Sequence, residues 1–279
     1  MNTTFAIPPQ TFADFELQGW ETLSSAYDES WGHVTSSFVP AILSALPDIE
    51  GRGLIDIGTG PGYAAKLAAQ RGANVIGVDF SATMIEAARR SVPEANFEVA
   101  DVEALPFADG EIDLAISNFG FQHFANPASA LREISRILTG RGSLAITVWA
   151  ESSRNAASLI LEQAVERFAV QSCRTPDGPS YGFLWDIEQL QSIVAEAGFV
   201  AATLQSRLHV IPWRLTDADE LFRAELAGSV RSGARLRQEP PASRERIREA
   251  MAKDIQSNYN EDGNLIIPMA AYVISVSKP

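Results

Sequence analysis

Three glycines at two-residue spacing, Gly58, Gly60 and Gly62, follow an apolar run that carries one acid, Leu54-Ile55-Asp56-Ile57. A chain that leaves a strand and enters a helix within a few residues needs backbone angles that a β-carbon obstructs, and glycine supplies them. Pro61 fixes its own φ and gives up an amide donor, which suits a rigid turn at a helix start. Asp79 lies seventeen residues beyond Gly62 and ends a second apolar run, Val75-Ile76-Gly77-Val78. The order is strand, tight turn, helix and strand, the unit that binds nucleoside cofactors beyond its strand ends. A dinucleotide fold uses G-x-G-x-x-G, which seats a pyrophosphate on the helix N-terminus. Here the spacing is G-x-G-x-G with Asp56 just ahead of it. A carboxylate at that place repels a pyrophosphate and favours an ammonium group. The expected ligand is therefore a nucleoside that carries a cation and no phosphate. Asp79 suits two ribose hydroxyls, because an ionised carboxylate accepts both.

With Asp79-Phe80-Ser81-Ala82-Thr83-Met84, Asn96 to Phe107, Phe107 to Asn118 and Arg132 to Gly142, these motifs resemble the class I S-adenosylmethionine-dependent methyltransferases. The likeness is to the small-molecule group that includes the ubiquinone/menaquinone C-methyltransferases. It covers about residues 50 to 150 and departs in one turn, where Thr139-Gly140-Arg141-Gly142 stands for the usual Lys-Pro-Gly-Gly. The resemblance implies S-adenosyl-L-methionine as cofactor and S-adenosyl-L-homocysteine as product. It implies that Gly58, Thr59, Gly60 and Gly62 form the turn under the methionine and ribose, with Asp56 near the amino acid end. Asp79 would hold the ribose, and Phe80 and Met84 would flank the adenine, although Met84 also suits core packing. Asp101, beside the Val102 amide, would accept from the adenine amino group. Asn118 and the Phe119 backbone would close the site under the methionine.

Methyl transfer from a sulfonium depends mainly on aligning nucleophile, methyl and sulfur, and needs a base only when the nucleophile must lose a proton. His123, five residues past Asn118, is the candidate base, since its ordinary pKa suits proton transfer near neutrality. A histidine that only positions its loop is the competing reading. Tyr27, in a Tyr27-Asp28 pair, is the second candidate catalytic residue, and His33 a weaker one. The expected activity is methyl transfer to O, N or C of a small apolar or aromatic metabolite. A fold-mate that binds the same cofactor for a cyclase or decarboxylase step keeps the same motifs, so the sequence does not separate the two. A nicotinamide dehydrogenase needs the absent sixth-position glycine. A non-catalytic scaffold has no need of the intact glycines and Asp79.

Composition removes other classes. The net charge is −13, from 35 acids against 22 Lys and Arg, so nucleic acid is not an expected partner. Arg231 to Arg237 is the most basic stretch, and nearby acids make it a mixed solvated face. One cysteine, Cys173, excludes an internal disulfide and is read as an inert thiol. Three scattered histidines have no metal-ligand spacing, so no metal is expected. No apolar run approaches the ~20 residues that span a bilayer. Met1 to Pro9 lacks the charge and apolar core of a secretory signal. The chain is read as cytoplasmic, a monomer or homodimer, acting on a small molecule without membrane or nucleic acid.

The expected fold is α/β, a Rossmann-like three-layer sandwich with a mostly parallel seven-stranded sheet whose last strand is antiparallel. Strands are predicted at 53–57, 74–78, 96–99, 112–117, 143–149, 201–213 and 269–276, and helices at 62–71, 82–91, 127–138 and 155–170. A further helix starts at Asp186, with Gln189 as its capping partner, and stops at Gly198. Residues 1–50 form a helical segment, including a helix over 35–46, and hold seven of the chain's 24 aromatic residues. They either pack onto the sheet or cover the cofactor as a lid. Residues 51–150 form the cofactor-binding core, and residues 151–279 complete the sheet with helical insertions at about 152–183 and 216–257, the latter broken at Pro240-Pro241. The resemblance implies a substrate cap there, against a dimerisation arm or structural padding. Tyr181, Phe183, Trp185, Trp213 and Phe222 suit either a pocket or a core.

Overall fold

The computed structural model describes residues 11–170, 175–179 and 182–279; the expectations for Met1 to Pro9, Phe5, Cys173, Tyr181 and the Phe183 side chain lie outside them. Five strands, β1 (Gly53–Ile57), β2 (Asn74–Asp79), β3 (Asn96–Val99), β4 (Ile112–Asn118) and β5 (Leu138–Trp149), lie parallel in the order β3-β2-β1-β4-β5. The sheet continues through β8 (Asn264–Ser277), antiparallel to β5, and then β6 (Gln205–Leu215), antiparallel to β8. A two-residue strand, β7 (Asn260–Glu261), folds onto the start of β8 and makes eight strands where seven were expected. Its cause is Asp262-Gly263, both at positive φ, the two-residue hairpin turn whose twist matches its flanking strands.

Alternation along the central strands feeds two cores. Ile55 and Ile57 of β1 pack with Leu131 and Ile134 of α6 (Pro127–Ile137) and with Leu190 and Val194 of α8 (Ile187–Glu196). Leu54 faces the other way, among Ile42 of α3 (Val39–Ser44), Ala64, Ala65 and Ala68 of α4 (Tyr63–Gln70), and Ile85 and Ala88 of α5 (Ala82–Ser91). The layers are helix, sheet and helix, because a strand's side chains alternate faces while parallel crossovers put helices on both. A third core joins the far end of the sheet, Trp213, Leu265 and Ile267, to α7 (Ala156–Phe168), α9 (Glu220–Gly228) and α11 (Pro241–Asn258).

Local signals set most boundaries. Ser81 accepts from the Met84 amide to cap α5, and Asp186 accepts from the Glu188 and Gln189 amides to cap α8. The predicted 35–46 helix is instead α2 (Gly32–Ser36) and α3, with Pro40 in the first turn of α3, where its missing N–H has no carbonyl to seek. The segment at 216–257 breaks twice, at Ser229-Val230 and again before Pro241, giving α9, α10 (Arg231–Gln238) and α11. Residues 201–203 form a single 3-10 turn ahead of β6. β5 begins at Leu138, directly after α6, because Leu138 pairs with Ile112; the register then shifts before Ser143, and Arg141 within the shift takes a positive φ and donates its amide to the Pro279 carbonyl.

Candidate active site

Asp56 near the end of β1, Asp79 at the end of β2, Asp101 past β3 and Asn118 at the end of β4 all line one cavity of 540 Å³. The turn after β1 brings the backbone to it. Gly58 and Gly60 take φ of +67° and +51°, and a β-carbon on Gly58 would lie 3.1 Å from the Cα of Gly120. Two loops therefore touch backbone to backbone at the cavity floor, which only hydrogen at Cα permits. Gly62 behaves differently from the expectation. It caps α4 at φ +87°, faces Val92, Ala88 and Phe97, and is not part of the cavity wall. Its role is to start the helix and let it pack closely on α5 and β3.

Asp79 is held by two backbone amides, Gly60 N to Oδ2 and Ser81 N to Oδ1, both at 3.0 Å. Asp56 Oδ2 accepts from the Thr59 hydroxyl at 2.7 Å and the Ala65 amide at 3.0 Å. Burial outweighs these bonds and pushes both carboxyls up to about 6. Asp56 Oδ1 and Asn118 Oδ1 are buried without a hydrogen-bond partner. Two orphaned acceptors in the wall of one cavity fit a ligand that brings donors, and with Asp56 a cationic one. Asn118 Nδ2 donates to the Thr35 carbonyl at 3.1 Å, and Asp101 Oδ1 accepts from the Glu103 amide at 2.9 Å. Thr59, Phe80, Met84, Val102 and Phe119 also line the cavity. Met84 does so while packing with Trp20 and Val230. Phe119 takes a positive φ of 60° and lies 4.1 Å from the Trp149 ring.

The N-terminal helices form one wall. From α1 (Phe12–Ser30), Glu21 accepts from the Ala82 amide at 2.6 Å and the Thr83 hydroxyl at the start of α5, which lowers its pKa. Tyr27 shares a 2.8 Å hydrogen bond with the Thr35 hydroxyl, and burial pushes its phenol up to about 12. Asp28 turns away to accept from the Tyr63 hydroxyl. His33 does not line the cavity and lies edge-on to Trp213 at 5.7 Å.

His123 does line it, in the 3-10 turn after β4. Its Nδ1 lies 2.9 Å from Glu16 Oε2, and its ring meets Trp20 edge-on at 4.9 Å. Glu16 is 0% exposed. The same Oε2 accepts from the Trp20 indole at 3.2 Å, and Arg231 Nε of α10 lies 3.1 Å from Oε1. Arg231 also donates to the Gln122 carbonyl at 2.8 Å. One carboxylate thus joins the N-terminal helix, the loop after β4 and the inserted helices. Sequence reading missed it. The signal was there, since the buried stripe of α1 is Phe12, Glu16, Trp20 and Ser24 at four-residue spacing, and an acid in a core stripe marks a satisfied polar contact. Trp31, Trp149 and Glu225, missed as well, complete the far wall.

Known proteins agree with this geometry. A family model described as a methyltransferase domain matches residues 55–146. The demethylmenaquinone methyltransferase of Corynebacterium kroppenstedtii is 32% identical over 178 residues, 60% of this chain and 76% of that protein. The Thermus thermophilus protein of that name is 35% identical over 120 residues, 41% of this chain. The chain spans 54% of the Thermus protein's length and 61% of the Renibacterium salmoninarum one. The crystal structure of the [4+2]-cyclase SpnF shares the fold, with a TM-score of 0.56 at 17% identity over 98% of this chain and 99% of that one. With a third of the relative's residues shared across three-quarters of its length, the chain belongs to the class I S-adenosylmethionine-dependent methyltransferases.

Proposed function

We propose that this chain transfers a methyl group from S-adenosylmethionine to O, N or C of a small metabolite. The observation that carries the reading is the convergence of Asp56, Asp79, Asp101 and Asn118 on one cavity at the carboxyl edge of the sheet. Bound there, S-adenosylmethionine supplies a methyl group activated by a positive sulfur. The lone pairs that Asp79 keeps beyond its two amide bonds accept the ribose hydroxyls. Asp56 Oδ1 and Asn118 Oδ1 accept from the ammonium group. Asp101 would accept from the adenine amino group, and Phe80 and Met84 would flank the ring. The walls from α1, Trp20 and Tyr27, exclude water from the reacting end. His123 holds Nδ1 toward Glu16, which leaves Nε2 to take a proton from an acceptor that must lose one. The helices inserted after β6 act as a cap, since Val230, Arg231 and Ser232 line the same cavity.

The reading extends to a cytoplasmic protein that acts on a small molecule and not on nucleic acid, which the charge of −13 supports. Among the described residues no helix is long and apolar enough to cross a membrane. Calorimetry with S-adenosylmethionine tests the site: Asp79→Ala should lose binding, and normal binding by that variant sinks the assignment. Release of S-adenosylhomocysteine during turnover separates methyl transfer from a non-methylating step.

A further inference from the structure

The part of the cavity away from the glycine turn is walled by Trp31, Trp149, Leu161 and Met269. Trp31 and Trp149 lie 5.9 Å apart between ring centroids, and Phe119 backs Trp149. The Trp31 indole donates to the Ala224 carbonyl of α9 at 3.2 Å. The next residue, Glu225, lines the cavity and is only 7% exposed. Its Oε2 accepts from the Ser232 hydroxyl at 2.5 Å, and the Ser229 side chain is a second partner. Among the described residues it forms no ion pair, and no basic group enters the causes of its shifted acidity. Burial pushes its carboxyl above the usual carboxylate range.

A buried carboxylate without a counter-charge is costly, on the order of several kcal/mol, and two hydroxyl dipoles offset that only in part. The lining offers no relief. Among the described residues Arg231 is the one Arg or Lys of the cavity wall, and Glu16 and the Gln122 carbonyl already hold it. Glu162 of α7 adds a second carboxylate to the lining. What would complete this wall is a ligand that brings a positive charge with N–H donors and tolerates indole faces, which attract cations through their π-systems.

Resting on the methyltransferase reading above, we propose that the acceptor substrate carries a cationic amino group, held by Glu225 against the aromatic wall of Trp31 and Trp149. The charge belongs to the substrate, and the amine anchors the molecule whichever of its atoms takes the methyl. This narrows the sequence expectation of an apolar or aromatic metabolite to an amine with an apolar or aromatic body.

The test is calorimetry on the S-adenosylhomocysteine-loaded protein with three matched probes: phenethylamine, phenethyl alcohol and 3-phenylpropanoate. A charge-assisted hydrogen bond outweighs a neutral one enough to give the amine about a tenfold advantage over the alcohol. Glu225→Gln should remove that advantage and leave S-adenosylhomocysteine binding unchanged. Equal binding of amine and alcohol, a preference for the carboxylate, no amine binding to the loaded protein, or a preference that survives Glu225→Gln overturns the proposal. The wild-type comparison stands alone should the variant not fold. Failure of S-adenosylhomocysteine to bind would strike the cofactor assignment instead, so the two readings fail separately.

Discussion

Lowering the pH from 7 to 5 should weaken S-adenosylhomocysteine binding by between about ten- and a hundredfold. Asp56 and Asp79 are both buried in the cavity wall, and burial pushes the carboxyl of each up to about 6. The ligand's ammonium and ribose hydroxyls stabilise only the ionised carboxylates, so binding pulls both pKa values down and expels any proton present. The sign follows: affinity is full above this raised pKa and falls as pH drops through it. At pH 5 a group of pKa 6 is roughly ten-elevenths protonated and at pH 7 roughly one-eleventh, so each carboxyl contributes about tenfold, or ~1.4 kcal/mol. The charge of Asp79 itself raises Asp56, so the two titrate as a pair and their joint effect falls short of the full hundredfold. At pH 6 binding should release about one proton in all, read as a heat that changes with the ionisation enthalpy of the buffer. Asp79→Asn should keep only the part due to Asp56, with about half that release. His123 and Glu21 also bear on Asp79, so His123→Asn is measured alongside and should retain the effect. A dissociation constant unchanged between pH 5 and 7, with no buffer-dependent heat, would refute the reasoning.

Two perturbations probe the N-terminal wall. Glu16→Ala leaves the Trp20 indole, the His123 Nδ1 proton and the Arg231 guanidinium without their shared acceptor. His123 and Arg231 are 20% and 34% exposed at the side chain and reach water, so the cost should sit near the low end for a broken buried pair, about 3 kcal/mol. Urea titration should show it, with a melting temperature lowered by about 6–12 °C; a drop of under about 2 °C would remove Glu16 as a tether. Tyr27→Phe loses the bond to Thr35, whose carbonyl in turn holds Asn118, and should weaken S-adenosylhomocysteine binding by about fivefold, or ~1 kcal/mol, without unfolding. An unchanged affinity would take Tyr27 out of the site.

The sequence by itself determined the unit from β1 through β2, because its causes are local. Glycine tolerates the positive φ of the turn, alternation commits Leu54 and Ile55 to opposite faces, and a parallel crossover sends Asp56 and Asp79 to the same edge. The Asp186 cap was legible for the same reason, being bonds across two and three residues. Gly62 shows the limit even there: spacing placed it in the turn, but only the packing of α4 on α5 and β3 turns it away from the cavity. Contacts between remote elements were closed to sequence reading. Glu16 meets His123 across 107 positions, and Trp31 reaches the Ala224 carbonyl across 193. Those pairings depend on how whole helices dock on the sheet, which is decided by the fit of many side chains at once; the four-residue stripe of α1 marks Glu16 as buried but does not name the residue it meets. The edge that carries Asp56 and Asp79 is therefore written into short-range chemistry, while the cavity wall of Trp31, Trp149 and Glu225 exists only once the chain has folded around it.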